Sequence, residues 1–210
     1  VNQKMKMVSV KNFGFPAYGP QQALAILESE RDTKGAINFF LTAPWHAVRS
    51  SCKPKFTEGA PKYEIGPKRA VVRIGRCYGD ESTVYRKVLS HSNLYQVAEK
   101  IWRDSVSDAD LELYFAIIKQ IAEISHRRNQ NFIIGFIIAD ENFFGGTNYT
   151  NEKVFLKLKE MSDEIIDLTL AEKAESVDSI YFIHRLDKHP SSRANVDRAT
   201  MLVETFNRYL

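Results

Sequence analysis

The run Phe132-Ile133-Ile134-Gly135-Phe136-Ile137-Ile138 has no polar side chain. No other feature constrains the fold of this chain so tightly. A strand with one wet face alternates apolar and polar residues, whereas an unbroken apolar run reads as a strand covered on both faces. Such strands belong to parallel sheets with helices packed above and below. The segment before the run supports this reading. Ser107 or Asp108 can cap a helix in which Leu111, Tyr114, Phe115, Ile117, Ile118, Ile121 and Ile124 recur at helical spacing. It closes on His126-Arg127-Arg128-Asn129, where a helix dipole favours cations and a left-handed end residue.

The rest of the chain fits an alternation of strands and helices. Met7-Val8-Ser9-Val10-Lys11-Asn12 reads as a strand, Pro20 to Glu28 as a helix with proline in its first turn, and Ala36 to Leu41 as a strand. Residues 7–41 are thus expected to form a βαβ unit. Ser92 can cap a helix to Trp102; further helices are expected from Asn151 to Met161 and from Ser192 to Tyr209. Ile165 to Leu168 and Ser179 to Ile183 are further strand candidates. Strands near 7–12, 36–41, 132–138 and 179–183 are predicted to be adjacent in one mostly parallel sheet with helices on both faces. The fold class is α/β, a three-layer α/β/α sandwich. Residues 42–90, broken by Pro44, Pro54, Gly59, Pro61, Gly66, Pro67, Gly75 and Gly79, read as an irregular insertion or lid within a single domain of residues 1–210.

Charge and hydropathy narrow the partners. The formal balance of 29 basic and 26 acidic residues leaves +3, which argues against nucleic acid as a partner. There is no apolar stretch long enough for a transmembrane helix. The residues from Val1 to Lys6 hold no apolar signal core and no initiator Met, so the chain is expected to be a mature or truncated piece. Cys52 and Cys77 flank a segment rich in Lys, Pro and Gly that could fold as a hairpin and bring them together. Two separate thiols fit the sequence equally well. An extracytoplasmic location, periplasmic or secreted, is favoured, and there the two should pair.

Ligands of parallel sheets bind beyond the carboxyl ends of the strands, so chemistry is sought in three loops. In Leu186-Asp187-Lys188-His189-Pro190-Ser191, an acid two residues from a histidine can orient the imidazole as a general base for a hydroxyl nucleophile. The same residues also suit a helix cap and a surface histidine. In Asn12-Phe13-Gly14-Phe15-Pro16-Ala17-Tyr18-Gly19-Pro20-Gln21-Gln22, free backbone N–H groups can hold an oxyanion, or simply turn the chain. In Thr42-Ala43-Pro44-Trp45-His46-Ala47-Val48-Arg49, Thr42 can donate into a site, while His46 and Arg49 can bind an anionic or sugar substrate. A histidine beside a tryptophan also packs readily under an insertion.

In order and spacing these loops resemble the SGNH (GDSL-type) hydrolase family. Asn12-x-Gly14-x-Pro16-x-Tyr18-Gly19 with Gln22 looks like the family's second block, N-x-G-x-P-G-Y-G with a glutamine soon after. Asp187-Lys188-His189-Pro190-Ser191, followed by Ala194-Asn195, looks like its last block, D-x-H-P or D-x-x-H-P. The resemblance implies a flavodoxin-like fold and ester hydrolysis through an acyl-enzyme. It makes His189 the base and acid, Asp187 its orienter, and the Ala17 N–H with Thr42 the oxyanion hole. No cofactor and no metal are implied.

Three departures stand out. The nucleophile's G-D-S block should precede the second block and is expected on a segment upstream of Val1. Gly79-Asp80-Glu81-Ser82 has one residue too many and lies on the wrong side. Ala17 stands where the family has an oxyanion glycine, and Thr42 is the nearest match to its asparagine. The function expected is a serine ester hydrolase acting on a small-molecule or polysaccharide ester. A polysaccharide O-acetyltransferase and a non-catalytic carbohydrate-binding member of the same fold are the alternatives.

Overall fold

In the computed structural model, which describes residues 9–29, 35–79, 88–89, 91–170, 182–184 and 187–210 (for 102–104, 182–184 and 187–189 the backbone only), the apolar run forms β4, Asn131–Phe136. It is the middle strand of a three-stranded parallel sheet. One neighbour is β1 (Ile37–Thr42), in register from Ile37 opposite Asn131 to Thr42 opposite Phe136. The other is β5 (Glu164–Asp167), running from Ile133 opposite Glu164 to Phe136 opposite Asp167. The protein is therefore an α/β protein built on a parallel sheet.

The two faces of β4 explain its composition. Phe132, Ile134 and Phe136 point into one cluster with the helices α1 (Pro20–Ser29), α4 (Asp108–Arg127) and α5 (Asn151–Lys159). Ile133 points the other way, to Ile166 and Leu168, where Met201, Leu202 and Phe206 of the last helix, α6 (Ser192–Phe206), pack. Helical side chains on both faces make the arrangement compatible with three layers. The helix ends follow local chemistry. Ser107 and Asp110 form a reciprocal capping box at the start of α4, and beyond its end Asn129 takes a left-handed φ of 55°. Thr150 caps α5 through the Lys153 N–H, and Ser92 caps α3 (Asn93–Asp104) through the Tyr95 N–H.

Gly135 faces the α6 side of the sheet. A Cβ there would lie 2.7 Å from Phe39 Cζ and 2.8 Å from Leu168 Cδ1. The missing side chain lets both groups close over the strand, and Phe39 in turn meets Phe206 edge-on with ring centroids 5.4 Å apart. Gly135→Ala is expected to destabilise the protein by about 1–3 kcal/mol through overpacking. Urea unfolding of the variant checks this, and an unchanged midpoint would show that the neighbours yield freely.

Two expectations need correction. The described part of the segment read as a first strand, residues 9–12, has no regular structure and no partner strand, so the βαβ unit of 7–41 lacks its leading strand among the described residues. Residues 7–8 lie outside them. The strand expected at 179–183 is the second case. Residues 179–181 lie outside the described set, while β6 (Phe182–His184) pairs antiparallel with β7 (Asp187–Pro190) in a ribbon of their own. A short apolar stretch carries no information about which partner satisfies its amides, so periodicity could not separate these outcomes.

The 42–90 segment contains more order than its prolines suggest. The short helix α2 (His46–Ser50) follows β1 directly. A hairpin of β2 (Pro61–Ile65) and β3 (Val71–Arg76) then folds back, with Ile65 opposite Val71 and Pro61 opposite Arg76. The disulfide Cys52–Cys77 closes it, with 5.3 Å between Cα atoms. Tyr63 and Val71 anchor the hairpin in the α1–α4 cluster, and the Tyr63 hydroxyl donates to Glu28 Oε2 at 2.6 Å.

Candidate functional site

The turn before α1 is built from Phe15-Pro16-Ala17-Tyr18. The Tyr18 N–H donates to the Phe15 carbonyl at 3.1 Å, and Ala17 sits at φ +69°. Proline at the second position and positive φ at the third give the turn a type II form, a place that favours glycine and costs an alanine about 1 kcal/mol. Neighbouring amides are engaged. The Gly14 N–H donates to Asn12 Oδ1 and the Gly19 N–H to Gln22 Oε1, each at 2.8 Å. The Ala17 N–H has no partner among the described residues. It is the one amide of Ala17-Tyr18-Gly19 left to hold an outside oxygen.

The helix α2, which follows β1, meets this turn through Arg49. The Arg49 guanidinium donates from Nη1 to the Tyr18 carbonyl at 2.7 Å, and the Arg49 carbonyl accepts from Gln21 Nε2 at 2.8 Å. The guanidinium also lies over the Phe56 ring, 5.4 Å from its centroid, while the Phe15 and Tyr18 rings meet at a tilt of 47° with centroids 5.3 Å apart. The structure thus places the Ala17 turn and the segment Thr42–Arg49 side by side, with the exposed rings of Phe15, Tyr18 and Phe56 around Arg49.

Thr42 closes β1 and is 1% exposed. Its Oγ1 lies 3.1 Å from His46 Nδ1 and 2.9 Å from the Tyr114 hydroxyl. A threonine hydroxyl has one proton and two lone pairs, so the Tyr114 hydroxyl can donate to Oγ1 while Oγ1 donates to His46 Nδ1. In that arrangement, donation to an oxyanion would require Thr42 to give up the His46 contact. Burial, reinforced by the positive charge of Arg49, pushes the His46 imidazole down to about 3. A histidine so weakly basic serves as a neutral hydrogen-bonding group, not as a general base.

That depression has a consequence for stability. Unfolded, the His46 imidazole titrates near its ordinary value of 6.5, whereas folded it stays neutral down to about 3. Between these values the unfolded chain binds the extra proton, so this contribution is whole above the upper value and lost as pH falls toward the lower one. The ceiling is about 1.4 kcal/mol per pH unit. From about pH 7 to about pH 5, the wild type should lose roughly 1–2 kcal/mol more than His46→Gln in urea unfolding. Parallel losses in the two proteins would show that His46 is not held neutral.

The predicted pair Asp187 and His189 lies in β7, on a strand of the antiparallel ribbon directly before α6. Their backbone is extended where a turn was expected, and their side chains lie outside the described residues. The structure therefore links the Ala17 turn to Arg49 and Thr42 to His46, and no hydrogen bond joins these residues to the ribbon among the described residues. Three participants were not foreseen. Tyr114 read as one apolar position among many in α4, yet its hydroxyl meets Thr42 across 72 residues. Gln21 is fully buried with Oε1 unpaired, and Phe56 supplies a ring for Arg49. Only Gln21 carried a signal, a polar residue beside the quoted Gln22 at a helix start. Comparison with protein-family models, curated proteins and solved structures found no match.

Proposed function

We propose that the chain forms the greater part of a serine ester hydrolase of SGNH type, with a three-layer α/β/α fold, acting on an acetyl or other carboxyl ester. The observation that carries this reading is the Ala17 N–H, unpaired among the described residues, held in a positive-φ turn and joined by Arg49 to α2, the helix that follows β1. An oxyanion hole needs such a rigid, uncommitted amide beside a strand end. In this reading a serine from a segment preceding the Asn12 block attacks the ester carbonyl, and His189, oriented by Asp187, takes the serine proton. The carbonyl oxygen becomes an oxyanion held by the Ala17 N–H. His189 returns the proton to the leaving alcohol, and water then attacks the acyl-enzyme by the same route to release the acid. His46 and Arg49 would contact the substrate beside the oxyanion site. The disulfide supports an oxidising, extracytoplasmic setting.

A second reading rests on Thr42. With its hydroxyl engaged by His46 and Tyr114, the site has one fewer oxyanion donor, which favours a non-catalytic carbohydrate-binding member of the fold. An O-acetyltransferase would share the acyl-enzyme and pass the acyl group to a sugar hydroxyl. The full encoded protein should hydrolyse p-nitrophenyl acetate and take up a fluorophosphonate label. His189→Ala should lower hydrolysis by about a thousandfold or more while moving the thermal midpoint by less than about 2 °C. Hydrolysis that survives His189→Ala sinks the reading. So does a protein that never labels but binds unmodified oligosaccharide, which would instead support the non-catalytic alternative.

A further inference from the structure

The small net charge conceals a segregated distribution. Residues 53–76 hold seven Lys and Arg against two Glu, while the whole chain is only +3, so the remainder is net acidic. In the fold, that segment is the β2–β3 hairpin and its approach. Lys55, Lys68, Arg69, Arg73 and Arg76 are all exposed, and among the described residues none of their side chains makes an ion pair or hydrogen bond. Five exposed cations on one hairpin and its approach, against the two glutamates of the same segment, form a positive field that favours a polyanion. The hairpin is also fixed with respect to the candidate site. Cys52, three residues after Arg49, is bonded to Cys77 at the end of β3, and Phe56 reaches from the hairpin's approach to the Arg49 guanidinium.

We propose that this hairpin is the docking surface for an anionic polysaccharide, a polymer bearing carboxylate or sulfate groups, which it holds across the site. The arginines and lysines supply charge. The exposed rings of Phe56, Phe15 and Tyr18 offer flat apolar faces of the kind on which the C–H faces of pyranose rings stack. Nucleic acid offers the same charge and also stacks, but the disulfide favours an oxidising compartment, where extracellular and envelope polysaccharides are the abundant polyanions. A lipid surface is disfavoured because the cations sit on a two-stranded ribbon, and the amphipathic helix α3, with Leu94, Val97 and Ile101 exposed, balances Lys100 and Arg103 with Glu99 and Asp104 and so adds no net positive charge. That the polymer is also the substrate rests on the esterase reading; the binding does not.

The test titrates the protein with polygalacturonate, with uncharged dextran, with duplex DNA, and with phosphatidylglycerol vesicles. Polygalacturonate should bind and dextran should not. The affinity should fall about tenfold or more when salt rises from about 50 mM to about 500 mM. The triple variant Arg69→Gln/Arg73→Gln/Arg76→Gln, whose side chains lie outside the core, should fold normally and lose about tenfold or more in affinity. Equal binding by the variant overturns the proposal, as does tighter binding to DNA or vesicles than to polygalacturonate. Binding without hydrolysis would remove the esterase and keep the docking surface, and hydrolysis without polyanion affinity would do the reverse.

Discussion

Asp110→Ala is expected to destabilise the protein by about 3–5 kcal/mol, because it strands a buried ammonium. Lys53 and Asp110 are 6% and 5% exposed, and Lys53 Nζ lies 2.6 Å from Asp110 Oδ2. The ammonium also donates to the Ser105 carbonyl at 2.9 Å. The same carboxylate oxygen accepts from the Ser107 N–H at 2.8 Å and the Ser107 hydroxyl at 2.7 Å, closing the capping box of α4. One aspartate thus compensates a buried charge and caps the longest helix. Burial alone would push its carboxyl up, but hydrogen bonds from Lys53, Ser51 and Ser107 hold it below its ordinary value. The stabilisation is therefore present above the ordinary carboxylate range, about pH 4, and lost as pH falls through the depressed value. Removing both charges should hurt less, since no buried charge is then left uncompensated, although the Ser107 N–H and hydroxyl and the Ser105 carbonyl lose their partners. In urea unfolding, Lys53→Met/Asp110→Leu should recover part of the loss, the remainder being the missing cap of α4. A single variant within about 1 kcal/mol of wild type would mean that water reaches Lys53.

Loss of the disulfide should be nearly as severe. Cys52 and Cys77 are separated by 25 positions, and opening that loop returns entropy to the unfolded chain worth about 3 kcal/mol. For a chain of this size the thermal midpoint of Cys52→Ser/Cys77→Ser should fall by about 10 °C. The bond also joins the end of α2 to the end of β3, so proteolysis should first appear within residues 53–76. Calorimetry with and without reductant checks the first point, and the cleavage sites check the second. A midpoint unmoved by reduction would show that Tyr63 and Val71 hold the hairpin unaided.

Much of the scaffold could be read from local pattern. The unbroken apolar run determined that β4 would be covered on both faces. Helical spacing from Leu111 to Ile124, with Ser107 before and Asn129 after, determined α4 and its ends. Each of these signals is contained in a window of neighbouring residues, and the physics that acts on it, side-chain periodicity and terminal hydrogen bonding, is equally local. The parallel pairing of β1 with β4 followed because a buried apolar strand needs neighbours, and residues 36–41 offered one.

Partner choice was decided elsewhere. Residues 9–12 have strand-like composition but no neighbouring strand among the described residues, and a strand exists only when another chain segment takes up its amides. Residues 182–184 found their partner in 187–190, a few positions along the chain, because a hairpin closes a much shorter loop than a crossover. At the candidate site, the sequence suggested a turn with an exposed amide. The fold then gave Ala17 its positive φ, brought Arg49 to the Tyr18 carbonyl, and engaged Thr42 with Tyr114. Lys53 and Asp110, 57 residues apart, carry no mark of each other in the sequence. Such pairs form only because the packing of α2, the hairpin and α4 removes the water that would otherwise have solvated each group alone.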